Sequence, residues 1–257
     1  MSITFNDNIT LVVLPDSIME TNGWTLSECR NLINVTIPDS VTEICKSAFS
    51  GCRSLASVTI PDGVTKICEF AFSACDSLTS ITIPDGVKSI GENAFGGCGI
   101  TSITIPDSVT EIGYSAFSNS SLTSVTIPGS VAVIGMTTFQ GCNSLTNVTF
   151  SDGVTEIGEW AFNMCDSLTS VTVPDSVTKF GDGVFDGCSS LTSVAIPDGV
   201  TKIGEFTFNY CLSLTSLNLP DSVEEISPGA FSYCENLTVT YRGEQYTYAN
   251  DPGNWWG

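Results

Sequence analysis

Three kinds of reactive side chain recur at near-constant intervals in this chain. Cysteine stands at Cys29, Cys52, Cys75, Cys98, Cys142, Cys165, Cys188, Cys211 and Cys234, with Ser120 in the one vacant place. Aspartate stands at Asp39, Asp62, Asp85, Asp107, Asp152, Asp175, Asp198 and Asp221, with Gly129 breaking the row. Hydroxyl pairs of the form Ser-x-Thr occur at Ser57/Thr59, Ser80/Thr82, Ser102/Thr104, Ser124/Thr126, Asn147/Thr149 and Ser170/Thr172. Clustered thiolates hold zinc or pair as disulfides. Stacked carboxylates hold calcium. Rows of hydroxyls on a flat face bind a partner or ice.

The totals narrow these chemistries. The 257 residues contain no histidine, which removes Ser-His-Asp and Cys-His catalysis together with His-containing metal sites. Eight basic residues face 28 acidic ones, a formal charge of −20, so nucleic acid and anionic lipid are poor partners. There is no Gly-rich phosphate loop, and Glu224-Glu225 alternates faces on a strand, unlike the facing carboxylates of a glycosidase. An enzyme is not expected, nor a cofactor. The start of the sequence lacks the basic and apolar regions of a secretory signal, and no stretch approaches a membrane span.

The elements that carry the three rows follow from the repeat itself. Repeats begin at Ile9, Leu32, Leu55, Leu78, Ile100, Leu122, Leu145, Leu168, Leu191 and Leu214, at a period of 23 with two repeats one residue short. In "LTSVTVP", Val171 and Val173 alternate with Ser170 and Thr172, the period of a short strand that Pro174 ends. "SVTKFG" is a second short strand that turns Val177 and Phe180 inward. "DGVFDGC" is too short for a full helix and reads as a helical or 3-10 turn burying Phe185 and Cys188. One unit cannot bury its apolar face alone; stacked units can, forming ladders of like residues about 4.8 Å apart. Nine phenylalanines, Phe49 to Phe231, form one such ladder and belong to the core.

The pattern "LTSVTIPDSVTEIG…AFSGC" resembles the BspA-like, Treponema-type leucine-rich repeat family over about nine tenths of the chain. It departs from the commoner leucine-rich pattern, placing Ser or Gly (Ser40, Gly63) where asparagine is usual. The resemblance implies a leucine-rich repeat solenoid: a right-handed superhelix with a parallel β-sheet, short second strands and short helical or 3-10 turns. The organisation expected is 1–31 an N-terminal capping repeat, 32–236 nine repeats, and 237–257 a half repeat and cap. Thr21 and Leu26 mark the first repeat as atypical, and the tail turns at Arg242-Gly243. The resemblance also implies non-enzymatic surface adhesion and protein binding, at the cell surface or secreted.

On this frame the cysteine row reads as small buried apolar residues with reduced thiols, because ladder neighbours point the same way and bridge poorly. Cys45 and Cys68, where other repeats carry glycine, leave a bridge between them as an alternative. The aspartates read as caps for turn amides, with calcium as the alternative. The Ser-x-Thr row, decaying to Ser193/Ala195 and Ser216/Asn218, is the outward strand face and the expected site for a protein or glycan ligand. Self-assembly and ice binding are the competing readings of the chain. Phe70, Trp160 and Phe206 fall before the Ala-Phe pair on non-adjacent rungs, with Tyr114 and Met136 one residue earlier; they are candidate interface anchors or padding.

Overall fold

The computed structural model describes residues 9–14, 25–251 and 253–256. The chain divides into two compact units, Met1–Leu122 and Thr123–Gly257, each considered by itself.

In the N-terminal unit, Leu11–Val13, Asn34–Thr36 and Ser57–Val58 pair in that order as parallel strands, and Ser80 bridges Ser102 in the same sense. The second strands, Glu43–Ile44, Lys66–Ile67, Ser89–Ile90 and Glu111–Ile112, form another parallel ladder. In the C-terminal unit, Ser124–Ile127, Asn147–Phe150, Ser170–Thr172 and Ser193–Ala195 pair in parallel with like repeat positions opposite one another. Val133–Ile134, Glu156–Ile157 and Lys179–Phe180 form the second ladder, continued in kind by Lys202–Ile203 with Glu225–Ile226. A slip of one residue would send the inward valines and isoleucines to solvent, so burial fixes the register.

The interior of each unit is a stack of like residues. Phe49, Phe72, Phe95 and Phe117 lie with ring centroids 5.2, 5.4 and 5.5 Å apart and nearly parallel planes. Phe139, Phe162, Phe185, Phe208 and Phe231 repeat the arrangement at 5.3, 5.9, 5.7 and 6.0 Å. All nine are fully buried. Offset stacking of this kind adds to a burial gain of roughly 2–3 kcal/mol per ring.

The expected helical or 3-10 turn before and after each phenylalanine is not what forms. Among the described residues the one 3-10 segment is Tyr248–Asn250, in the tail. The Phe-containing segment is instead a run of turns with two left-handed residues four apart, such as Phe70 (φ 58°) and Ala74 (φ 56°). The hydrogen bonds explain it. Phe70, Phe72 and Ala74 N–H groups donate to Glu92, Ala94 and Gly96 of the following rung, while Ala71, Ser73 and Cys75 N–H groups close local turns. A helix would direct its N–H groups along its own axis and not toward the neighbouring rung. In the observed turns local and cross-rung bonds alternate, which leaves every second peptide free to reach the next rung.

The polarity of these crossings differs between the two sides of a rung. In the turns, N–H groups point to the following rung; in the second strands, Cys68 N–H donates back to Ile44 and Ile67 accepts from Gly91 ahead. The last rung would therefore leave turn N–H groups bare. The tail covers them: Gly229 N–H donates to Asn254 and Phe231 N–H to Trp255. Arg242 and Gly243, both left-handed, reverse the chain so that Glu244–Tyr246 pairs antiparallel with Thr238–Tyr241 and closes the sheet edge. At the other end, Leu26 is buried at the phenylalanine position of the first repeat; Thr21 lies outside the described residues.

Candidate functional site

From Ser57 to Thr172 the first strands turn polar residues out on either side of an inward apolar one, whereas Leu11 and Val13 of the first strand are themselves exposed. Ser57, Thr59, Ser80, Thr82, Ser102 and Thr104 are exposed in the N-terminal unit, and Ser124, Thr126, Asn147, Thr149, Ser170 and Thr172 in the C-terminal unit. In the latter, register places Ser124 opposite Asn147 and Asn147 opposite Ser170, with Thr126 opposite Thr149. Among the described residues, these side chains make one hydrogen bond to one another, Asn147 Nδ2 to Thr149 Oγ1 at 3.4 Å. By contrast the threonines just before the strands are tied down: Thr146 Oγ1 donates to Thr123 O at 3.0 Å and Thr192 Oγ1 to Thr169 O at 3.0 Å. In each unit the row thus presents polar groups to solvent at strand spacing, able to donate and accept.

The cysteines serve the wall. Cys75, Cys165, Cys188 and Cys211 donate S–H to the phenylalanine carbonyl of the preceding rung at 3.2–3.3 Å. Burial pushes the Cys52 and Cys234 thiols up to about 12, which keeps them protonated. Cys68 remains a thiol, held near 11 by burial and by the neighbouring Cys45. A protonated, buried thiol is a poor nucleophile and a poor ligand.

The aspartates do not cap the turns as expected. The turn closes through the backbone, Val41 N–H to Pro38 O and Val177 N–H to Pro174 O. The bond to the preceding rung comes from serine: Ser108 Oγ donates to Val87 O, Ser176 Oγ to Val154 O and Ser222 Oγ to Val200 O, at 2.6–2.8 Å. The aspartates stay exposed, and among the described residues no group of three Cys, Asp or Glu converges as for a metal ion.

The aromatic residues are arranged more closely than their positions in the repeats suggest. Trp160 and Phe206, two rungs apart, stack at 6.3 Å because Gly183 between them carries no side chain and Trp160 leans over it. Tyr114 and Met136 are exposed, and Phe70 lies under the Lys46 ammonium at 5.9 Å. Tyr210 and Tyr233, which the sequence reading passed over, stack at 4.2 Å with planes 8° apart. Their signal was available: they stand where Gly51, Gly97, Gly141 and Gly187 stand in other repeats, all left-handed. A carboxamide row, Gln140, Asn163 and Asn209, runs beneath these turns, with Asp186 between Asn163 and Asn209.

Short parallel strands, a phenylalanine stack and one outward polar row per repeat define a leucine-rich repeat solenoid. The family described as BspA type leucine rich repeat region matches residues 3–123 and 110–238 in six copies. The chain belongs to that family. No curated protein matches it. Among solved structures it is similar to a leucine-rich repeat protein from Bacteroides ovatus, at 27% identity over 94% of this chain and 84% of the other, TM-score 0.54. It is also similar to the T. pallidum leucine rich repeat protein, at 30% identity over 75% and 82%, TM-score 0.57. A leucine rich cell surface protein from Faecalibacterium prausnitzii is 30% identical over 93% and 83%, TM-score 0.50.

Proposed function

We propose that this chain is a non-enzymatic binding and adhesion scaffold whose outward strand face engages a protein or glycan. The observation that carries the reading is the contrast within one strand region: Thr146 and Thr192 are tied to the preceding rung, while Thr126, Thr149 and Thr172 face solvent. An exposed row whose side chains make one bond among themselves, Asn147 to Thr149, is a surface available for recognition. The cell-surface protein among its structural relatives supports an outer location for this chain. The charge of −20 opposes nucleic acid and anionic lipid as partners, and no helix among the described residues is long and apolar enough to cross a membrane.

Replacing Thr82, Thr104, Thr126 and Thr149 together by lysine tests the face. Partners recovered from the native environment by the unmodified chain should be lost by the variant, with thermal unfolding unchanged. Equal recovery by both would move the recognition surface elsewhere. Ice recrystallisation inhibition abolished by the same change would favour the ice-binding alternative. Self-assembly end to end meets an obstacle at the C-terminal end, where the tail already occupies the final rung's hydrogen-bonding groups; concentration-dependent light scattering decides it.

A further inference from the structure

We propose that a cleft at the C-terminal end, bounded by Tyr233 and Tyr248, binds an organic ammonium group. The cleft has a volume of about 400 Å³ and is lined by Phe206, Asn209, Ser232, Tyr233, Glu235 and Tyr248, closed at its base by Trp256. It is built from turn residues and the tail, not from the outward strand row, so it is independent of the strand-face reading.

The placement of Tyr233 is the central observation. Tyr210 covers one face of its ring at 4.2 Å. Tyr233 is nevertheless 60% exposed, so the open area is its opposite face and edge. No further repeat follows to cover that face, and Tyr248, itself 59% exposed, stands across the cleft. Tyr210 and Tyr233 occupy a left-handed backbone position, φ 54° and 60°, that glycine fills in four other repeats and Glu28, Ala74, Asn119 and Met164 fill in the rest. The turn geometry is thus common to the repeats, and what distinguishes this end is the ring that the position carries.

The lining selects the ligand. Phe206, Tyr233 and Tyr248 present exposed aromatic rings beside the buried Trp256, Glu235 supplies a carboxylate, and no lysine or arginine lines the cleft. The negative faces of aromatic rings attract cations, and quaternary ammonium groups suit such rings because their charge is spread over apolar methyl groups. The chain's charge of −20 adds a favourable field for a cation and an unfavourable one for an anion. A neutral sugar would gain nothing from Glu235 or that field beyond hydrogen bonds.

Titration of the whole chain with tetramethylammonium, followed by NMR or tryptophan fluorescence, tests the site. Saturable binding is expected, weakened about tenfold in Tyr233→Ala and several-fold in Glu235→Gln, and preserved in Tyr233→Phe, which keeps the ring face. Tyr114→Ala, which alters an exposed ring in the N-terminal unit, should bind as the unmodified chain does. Choline against trimethyl-lysine amide then separates a headgroup-like source from a peptide side chain. The neutral isostere 3,3-dimethylbutan-1-ol should bind at least tenfold more weakly than choline. Equal binding of the isostere, binding of glucose or galactose without tetramethylammonium, or no saturable binding at all each overturns the proposal. Because the strand row plays no part, the Thr→Lys variant described above should bind tetramethylammonium normally, so failure of one reading leaves the other standing.

Discussion

The indole Nε1–H of Trp256 donates to the carbonyl of Cys234 at 3.0 Å. In the N-terminal unit the following repeat makes the like bond at two places, Gly99 N–H to Cys75 O and Ser121 N–H to Cys98 O. At Cys234 the Trp256 indole thus stands where a following repeat stands at Cys75 and Cys98. Its ring also covers Phe231, at 5.4 Å between centroids. Trp256→Ala should destabilise the C-terminal unit by about 3–5 kcal/mol, and Trp256→Phe, which keeps most of the cover and loses the bond, by about 1–2 kcal/mol. Hydrogen exchange should show faster exchange of the Gly229 and Phe231 amides first.

Alkali should unfold the chain through its thiols. Burial pushes Cys165, Cys188 and Cys211 well above the ordinary thiol range. A group whose folded pKa is raised contributes stability that is complete below its unfolded value, near 8.5, and lost as pH climbs toward the folded one. Each such thiol steepens the loss by about 1.4 kcal/mol per pH unit in that window. Cys188→Ser should remove one increment of the slope, since serine does not titrate there and Ser120 already occupies this buried place. Urea midpoints measured between about pH 8 and 10 give the slope; an unchanged slope would contradict the buried-thiol account.

Asp186 carries a different sign problem. Burial raises its carboxyl pKa, while the hydrogen bond from Asn209 pulls it back. Stability from this group is greatest below its unfolded pKa and falls as pH rises through the folded value, so the charge is a burden at neutral pH. Asn163 and Asn209 both donate to it, at 2.9 and 2.6 Å, and the side-chain oxygen of Asn209 is buried without a partner. Asp186→Asn lets the Asn209 amide turn end for end and accept from the new amide. We expect equal or higher stability at neutral pH, by up to about 1 kcal/mol, from chemical denaturation. A loss beyond about 2 kcal/mol would show that the carboxylate's bonds outweigh its desolvation.

The left-handed turn position makes a prediction about the backbone alone. Ala74 sits at φ 56°, where Gly187 sits at φ 76°. Ala74→Gly should stabilise by about 1 kcal/mol and Gly187→Ala should destabilise by a similar amount. A Cβ on Gly187 would approach Met164 at an ordinary 3.4 Å, so the loss is conformational and not steric. Thermal melts of the two variants should move in opposite directions.

What could be read from the letters was whatever recurs. Leu168, Val171, Phe162 and Cys165 return every 23 residues because stacking demands the same side chain in the same place, and that fixed the strands, the core and the outward row. The turn backbone was not legible. Phe185 and Cys188 point inward at a spacing that a helical turn and a turn with left-handed residues four apart share, and the left-handed places are filled by residues as different as Gly51, Ala74 and Tyr233. The Trp160–Phe206 contact depends on a missing side chain at Gly183, and the cleft beyond Tyr233 depends on where the tail folds back. Both are properties of where the repeat is broken, so a consensus does not contain them.

The tail's role as a stop bears on how such a chain lengthens. Every interior rung offers the next one the same arrangement of donors, acceptors and rings that it received, whereas the segment from Arg242 to Trp256 accepts that arrangement and offers nothing onward. Duplication of a 23-residue segment ahead of it would lengthen the molecule without redesigning either the join or the terminus. Length is then a quantity that unequal recombination can change in whole steps, carrying the outward row along at each step while the cleft beside Tyr233 stays next to the tail.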